Sequence, residues 1–399
     1  MRVYADWIWD GVGDPAPGCL EIEGGCVRSV TRGVVADADR SYPKAVIVPG
    51  FVNAHAHLDL TFDPDGSELE DPFTDWLLGV KELRDEVGEA GLVDSVRRGA
   101  AEALSYGTTT IADYDPSGAA IAGLADSPLR RLILREVISF RPGTDDLFSA
   151  LEEFVRGSTP NALRGIAPHA PYTVHPELWT RLIAWAVARE LPWSTHIAEQ
   201  PWEAALLELG EGEGADFFEQ LGVDRAAFGI PGARAVELVA RAGGLNPGAI
   251  LVHANYVDRD EIQRIAESGA AVVYCPRSHA WFVHEEYPLE PMLRAGIPVA
   301  IGTDGKISNG RLSIIDELRE VYHKSLDLPA ATVMELGTRN GHRALGNRLG
   351  TGILTPGNRA DFTVIPVAAS TPEAVLPTLL ESTDLPIATF IDGHPAWTA

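Results

Sequence analysis

Two histidines stand two residues apart in VPGFVNAHAH, at His55 and His57. Side chains at i and i+2 of a strand leave the backbone on one face, so both imidazoles could reach a shared metal ion. Other residues of metal-ligand type close further apolar runs: His169 in APHAPYTV, His196 and Glu199 in STHIAE, His253 in LVHAN, and Asp304 in AIGTDG. Each has an ordinary structural reading when taken singly. A strand-end histidine is commonly a hydrogen-bonded structural residue, the aspartate of GTDG a turn or cap residue, and Glu199 a carboxylate opening the next helix. Together, at equivalent places along the chain, they point to a shared metal site.

The elements that must position these groups alternate. Eight apolar, β-branched runs occur, at 46–52, 107–112, 129–138, 163–167, 192–197, 249–252, 270–274 and 298–302. Between them lie segments such as SVRRGAAEALS, PELWTRLIAWAVARE, RDEIQRIAESG and LSIIDELREVYHKSL, with apolar residues at three- and four-residue spacing, as amphipathic helices require. Strand–helix alternation repeated eight times predicts a (β/α)₈ TIM barrel, where functional groups sit at the C-terminal strand ends; a doubly wound open sheet would give a similar pattern. Residues 1–48 and 350–399 read as short strands joined by Gly-rich turns, which predicts a small β-sandwich-like domain built from both termini around a barrel over 49–349. The stretch 200–247 is long for a strand–helix connection and reads as an insertion able to act as a lid. Its ELGEGEGADFF lacks the GxxxxGK[ST] pattern of a phosphate loop.

Composition narrows the partners. The 399 residues carry 57 acidic and 32 basic side chains, a net charge of −25, which repels phosphate backbones and anionic headgroups. Nucleic acid and membrane are excluded as partners on that ground, and a small molecule is the expected one. The first residues show no basic segment followed by an apolar one, so the expected location is the cytoplasm. Cys19, Cys26 and Cys275 form neither a disulfide framework nor a thiolate metal site, and Cys275 reads as a small buried hydrophobe. A homo-oligomer is compatible with the sequence, which does not define one.

The motif order HAH, PHAPYTV, THIAE, LVHAN and GTDG, with GNRADFTVI near the C-terminal end, resembles the amidohydrolase superfamily over essentially the whole chain. No lysine stands at the end of the fourth run to bridge two metals, so the resemblance is to its mononuclear deaminase branch. It implies one divalent metal, zinc or alternatively iron(II), held by His55, His57, His196 and Asp304 and making water nucleophilic near neutral pH. It also implies a proton shuttle at Glu199, with His253 and Asp304 each able to accept the water's proton, and a substrate contact at His169. Deamination is favoured over hydrolytic dechlorination because an aromatic amine leaves only after proton delivery.

The segments CPRSH and FTDWLLGVKELRDE are similar to enzymes that deaminate aminodeoxyfutalosine, a menaquinone precursor bearing a benzoate. On that likeness Arg277, Ser278, Trp281 and Arg84 would line the substrate site, with Lys81 and Lys306 as further cations near its mouth. Other aminopurine substrates, S-adenosylhomocysteine, methylthioadenosine or guanine, stand as alternatives. So does a heterocycle chlorohydrolase, or a barrel that binds a ligand without catalysis.

Overall fold

The computed structural model describes residues 1–34, 37–62, 73–325 and 327–399. Its strands are β1 (Arg2–Ile8), β2 (Ala16–Glu23), β3 (Cys26–Arg32), β4 (Arg40–Pro49), β5 (Phe51–His57), β6 (Thr108–Asp115), β7 (Arg130–Val137), β8 (Ala162–Pro168), β9 (Trp193–Ile197), β10 (Ala249–His253), β11 (Ala271–Tyr274), β12 (Val299–Ile301), β13 (Asp304–Gly305), β14 (Phe362–Pro366), β15 (Ala388–Ile391) and β16 (His394–Thr398). They fall into two sheets. One runs β12-β11-β10-β9-β8-β7-β6-β5-β13 and the other β16-β15-β14-β4-β1-β2-β3.

The first sheet is the barrel. Its pairings are parallel throughout, and β12 and β13 are two pieces of one eighth strand, interrupted at Gly302 and Thr303. The first piece pairs with β11 and the second with β5, through Asp304 opposite Ala56, which closes the sheet on itself. Helices cover it where the amphipathic spacing places them, at Pro176–Ala188, Arg259–Ser268 and Ile314–Lys324. The helical span Phe73–Ser105 breaks at Gly88, whose φ of +67° suits a residue without Cβ. Only its N-terminal part reaches the barrel mouth, where Phe73, Trp76, Leu77 and Val80 line a cleft.

The first apolar run behaves differently from its reading as one barrel strand. It divides at Gly50: Val46 to Pro49 end β4 in the terminal sheet, and β5 starts at Phe51 and carries His55 and His57 within it. Every residue from Ala45 to His57 is buried, so hydrophobic patterning holds no mark of where one sheet hands the chain to the other. The chain's two ends do meet: β4 pairs parallel with β1 and antiparallel with β14, and all seven strands make one continuous sheet. Residues 203–241 form short helices whose Leu206, Leu207, Phe217, Phe218 and Phe228 are buried in the main core. They pack into that core, and none of the described residues of 200–247 lines the cleft in this structure. The three cysteines are free, with Cys275 buried after β11. No helix among the described residues is long and apolar enough to cross a membrane.

Arg130, at the start of β7 and 1% exposed, fastens the two sheets. It donates to both carboxylate oxygens of Asp361, to Asp392 at 2.6 Å and to Asn161 at 2.9 Å. Removing one partner of a buried ion pair leaves the other charge uncompensated, a cost of about 3–5 kcal/mol. Arg130→Leu should therefore lower the urea midpoint by an amount equivalent to about 3–5 kcal/mol; a loss under about 1 kcal/mol, the size of an exposed pair, would show that Arg130 does not hold the sheets together.

Candidate active site and its metal-ligand cluster

The barrel brings the sequence's candidate ligands to one end. His55 and His57 project from β5, His196 from β9, His253 ends β10 and Asp304 begins β13. Ring nitrogens and carboxylate oxygens lie within 4.8 Å of one another in three groups: His55 with His57 and Asp304, His55 with His196 and His253, and His57 with His196 and Glu136. His55 joins the first two. Asp304 Oδ1 stands 3.5 Å from His55 Nε2 and 3.7 Å from His57 Nε2.

The donor set fits a divalent metal. His55 is fully buried and neither ring nitrogen has a hydrogen-bond partner; His57 Nδ1 is likewise without one. An unpartnered polar atom in a protein interior is costly, and converging lone pairs without a cation would add to that cost. Burial, reinforced by neighbouring imidazoles, pushes His57, His169 and His196 toward the neutral form that ligates, His196 to about 3. Burial would raise the Asp304 carboxyl, but His55, His57 and His253 hold it well below the usual carboxylate range. Three imidazoles and one carboxylate suit zinc or iron(II).

The surroundings fix how these groups point. The His169 carbonyl accepts from the His196 backbone N–H at 2.8 Å and from His196 Nδ1 at 2.9 Å, which directs Nε2 into the cluster. Asp304 Oδ2 accepts from Ser278 at 2.8 Å and Ser308 at 3.1 Å, leaving Oδ1 toward the histidines. Glu317, fully buried and pushed up to about 8 chiefly by that burial, accepts from the Arg277 backbone N–H at 2.9 Å and from Asn309, which also donates to the Thr303 carbonyl at 2.7 Å. Ala198, His253, Ala254 and Asp304 all have positive φ, between 46° and 66°. Such conformations cost about 1–3 kcal/mol each and persist where surrounding bonds over-determine them. The last constraint is Gly302: a Cβ there would lie 2.7 Å from the His55 Cβ and 2.9 Å from its carbonyl oxygen.

Glu199 follows β9 in a turn clamped by Glu203. The Glu203 carboxylate accepts from the backbone N–H groups of Ala198, Glu199 and Gln200 at 2.9, 2.7 and 3.0 Å. The Glu199 side chain is thereby left to the cleft, with Oε1 3.6 Å from His253 Nε2, and burial followed by Asp304 raises it well above the usual carboxylate range. The same cleft is lined by His57, Arg84, Glu136, His169, His196, His253 and Asp304. Arg84 is held by Asp59 through Nε at 2.7 Å and Nη2 at 3.4 Å.

The remaining sequence candidates fall elsewhere. Arg277 is absent from the described lining, its backbone tied to Glu317, and Trp281 is 51% exposed on the same short helix, Pro276–Trp281. Strand β11 ends at Tyr274, a residue earlier than the segment suggests, and Arg277 keeps one buried guanidinium nitrogen, Nη1, without a hydrogen-bond partner. Ser278 is 2% exposed and bonds Asp304 rather than facing the cleft. Lys81 pairs with Asp85 and Lys306 with Glu102. Sequence reasoning passed over Glu136, Glu203 and Glu317. A visible signal existed for the first, a glutamate inside the apolar run LILREVISF.

The family model for the amidohydrolase family matches residues 46–395. The chain belongs to the amidohydrolase family. Like the rest of that family it is a hydrolase, here with relatives that mark it as acting on carbon–nitrogen bonds. A 5-methylthioadenosine/S-adenosylhomocysteine deaminase of Nitratidesulfovibrio vulgaris is 33% identical over 345 residues, covering 82% of this chain and 72% of that protein. A zinc-bound adenosine deaminase of Xanthomonas campestris superposes with a TM-score of 0.83 at 25% identity, over 99% of this chain and 92% of the other. The aminofutalosine deaminase of Helicobacter pylori, in complex with methylthio-coformycin, shares the fold with a TM-score of 0.85 at 22% identity, over 99% of both chains.

One ligand cluster should hold one tightly bound divalent metal per chain. Metal analysis of the purified protein should give about one equivalent, His55→Ala should remove it, and Gly302→Ala should weaken it by displacing His55. Two equivalents, or an unchanged affinity in Gly302→Ala, would contradict this geometry.

Proposed function

We propose that this amidohydrolase is a zinc-dependent deaminase of an adenine-type nucleoside, with His55, His57, His196 and Asp304 as ligands. The observation that carries the reading is the Glu199–His253 pair beside the ligand cluster, with Glu199 presented by the Glu203 clamp. Zinc bound by the four ligands would supply Lewis acidity and a nucleophilic water near neutral pH.

The chain's own groups account for the proton transfers. Replacing an aromatic amine by oxygen requires a proton on the ring nitrogen as aromaticity is lost, then another on the departing amine. Glu199 is a buried carboxyl that can give and regain a proton at one position, and His253 stands beside it to orient the attacking oxygen. His169 is oriented by Thr173, whose hydroxyl lies 2.7 Å from its Nδ1, leaving its other nitrogen toward the cleft as a substrate contact. Hydrolytic dechlorination needs no such delivery to an amine, so this pair favours deamination over that alternative. The relatives named as deaminases of methylthioadenosine and S-adenosylhomocysteine, or of adenosine, support an adenine base over guanine. Aminodeoxyfutalosine shares that base, but Arg277, the cation chosen for its benzoate, lies outside the described cleft lining.

Glu199→Gln preserves shape and hydrogen bonding while removing the exchangeable carboxyl proton. It should keep its metal and lose about 10²–10⁴ in kcat for a deaminated adenine nucleoside, followed by the change in purine absorbance. A rate within about threefold of the parent, far less than loss of an acid–base group allows, would move the shuttle elsewhere. A metal-loaded parent that releases no ammonia from a broad aminopurine panel would instead favour a binding barrel without catalysis.

A further inference from the structure

The cleft holds one carboxylate beside the histidines that the four-ligand set does not use. Glu136 stands on β7, one residue before the strand ends at Val137, and lines the cleft together with His57 and His196. One donor atom from each of these three lies within 4.8 Å of the other two, the same closeness that groups His55 with His57 and Asp304. The three do not make a separate site. His196 Nδ1 donates to the His169 carbonyl at 2.9 Å, so only its other ring nitrogen can bind an ion, and the four-ligand set already claims it. The Glu136 group therefore extends one metal site toward the cleft.

Nothing in the protein competes for this carboxylate. Glu136 is 5% exposed and its Oε1 has no hydrogen-bond partner. Arg84 acts on it electrostatically, but Arg84 Nε and Nη2 are bonded to Asp59. A buried acceptor of this kind is ordinarily satisfied by protein, water or an ion. Burial pushes the Glu136 carboxyl up to about 8, and a carboxyl that ligates gives up its proton. With Glu136 and Asp304 both ionised, two ligand charges match the two of a divalent ion. A buried assembly of paired charges is less costly than one with charge left over.

We propose that Glu136 is a fifth protein ligand of the divalent metal, joining His55, His57, His196 and Asp304 from the cleft side. The proposal rests on the four-ligand reading above and adds to it. Its chemical consequence lies in the choice of ion. Zinc is most often held by four ligands, whereas a second oxygen donor and a higher coordination number move the balance toward iron(II) or manganese(II).

A crystal structure of the metal-loaded parent tests the geometry without any variant. It should place a Glu136 carboxylate oxygen about 2.0–2.2 Å from the ion, the range of a carboxylate bound to zinc. Competition with a chromophoric chelator then measures affinity in the parent, Glu136→Gln and Glu136→Ala, each checked for the parental melting temperature without metal. Both variants should bind zinc at least about tenfold more weakly, since loss of even an outer partner of a metal ligand costs about 10–100-fold. The loss should be larger for manganese(II), which depends more on oxygen donors. An ion held by the other four residues with both Glu136 oxygens beyond about 3 Å, well outside bonding range, overturns the proposal. So does a variant that keeps the parental affinity for both metals. A parent with no ion at this cluster overturns the four-ligand reading itself and the proposal with it, so the two failures are distinguishable.

Discussion

The structure turns on a buried imidazole that the protein leaves without a hydrogen bond. His55 is fully enclosed, with two ring nitrogens unsatisfied, between His57 and Asp304 on one side and His196 and His253 on the other. An interior tolerates such a group only if something outside the chain satisfies it or if the frame is too rigid to let the ring move away. The frame has that rigidity. Closure of the barrel through β13 fixes Asp304 opposite Ala56, Gly302 allows the backbones to approach, and the strained φ values of Asp304, His253 and Ala198 are held by surrounding bonds. The ligand set costs stability, and the strand-end network offsets it.

That network is assembled largely from buried glutamates. Glu203 collects three backbone donors and presents Glu199; Glu317 ties the start of the helix Pro276–Trp281 to the loop that carries Asp304. Burial pushes both up, Glu203 to about 7 and Glu317 to about 8, and backbone N–H donors work against that rise in each case. A carboxyl that is easily protonated is a poor anion but still accepts hydrogen bonds, so it can clamp a loop without placing a full negative charge beside the ligands. The clamps are thereby compatible with a cluster whose own carboxylate, Asp304, is held ionised by histidines.

These roles divide what patterning reveals from what it hides. The barrel follows from strand–helix alternation, and the ligand cluster from placing histidine and aspartate at strand ends, because both depend on periodicities of two and 3.6 that any residue string displays. Position across a helix of six residues is another matter. Arg277 and Trp281 stand in the right segment, yet neither is among the described residues that line the cleft, while Ser278 turns inward to Asp304. The passage from β4 to β5 was equally hidden, since uniform burial from Ala45 to His57 erases the boundary. Glu203 and Glu317 were unreadable for a third reason: a glutamate near a helix start is ordinarily a solvated cap, and only tertiary burial converts it into a clamp.

Charge operates on two scales in this molecule. At long range the net −25 lowers the local concentration of anions and favours neutral or cationic solutes, an effect screened within about 8 Å of the surface at physiological ionic strength. Inside the cleft screening by salt is weak, and discrimination passes to individual pairs. Arg84 lines the cleft with its Nε and Nη2 committed to Asp59. A guanidinium so paired still shapes the cleft, because its planar fork holds Asp59 and lies beside Glu136. A divalent metal held by His55, His57, His196 and Asp304 would add a second strong positive charge to the cleft, close to Glu136, whose carboxylate oxygen lies within 4.8 Å of ring nitrogens of His57 and His196.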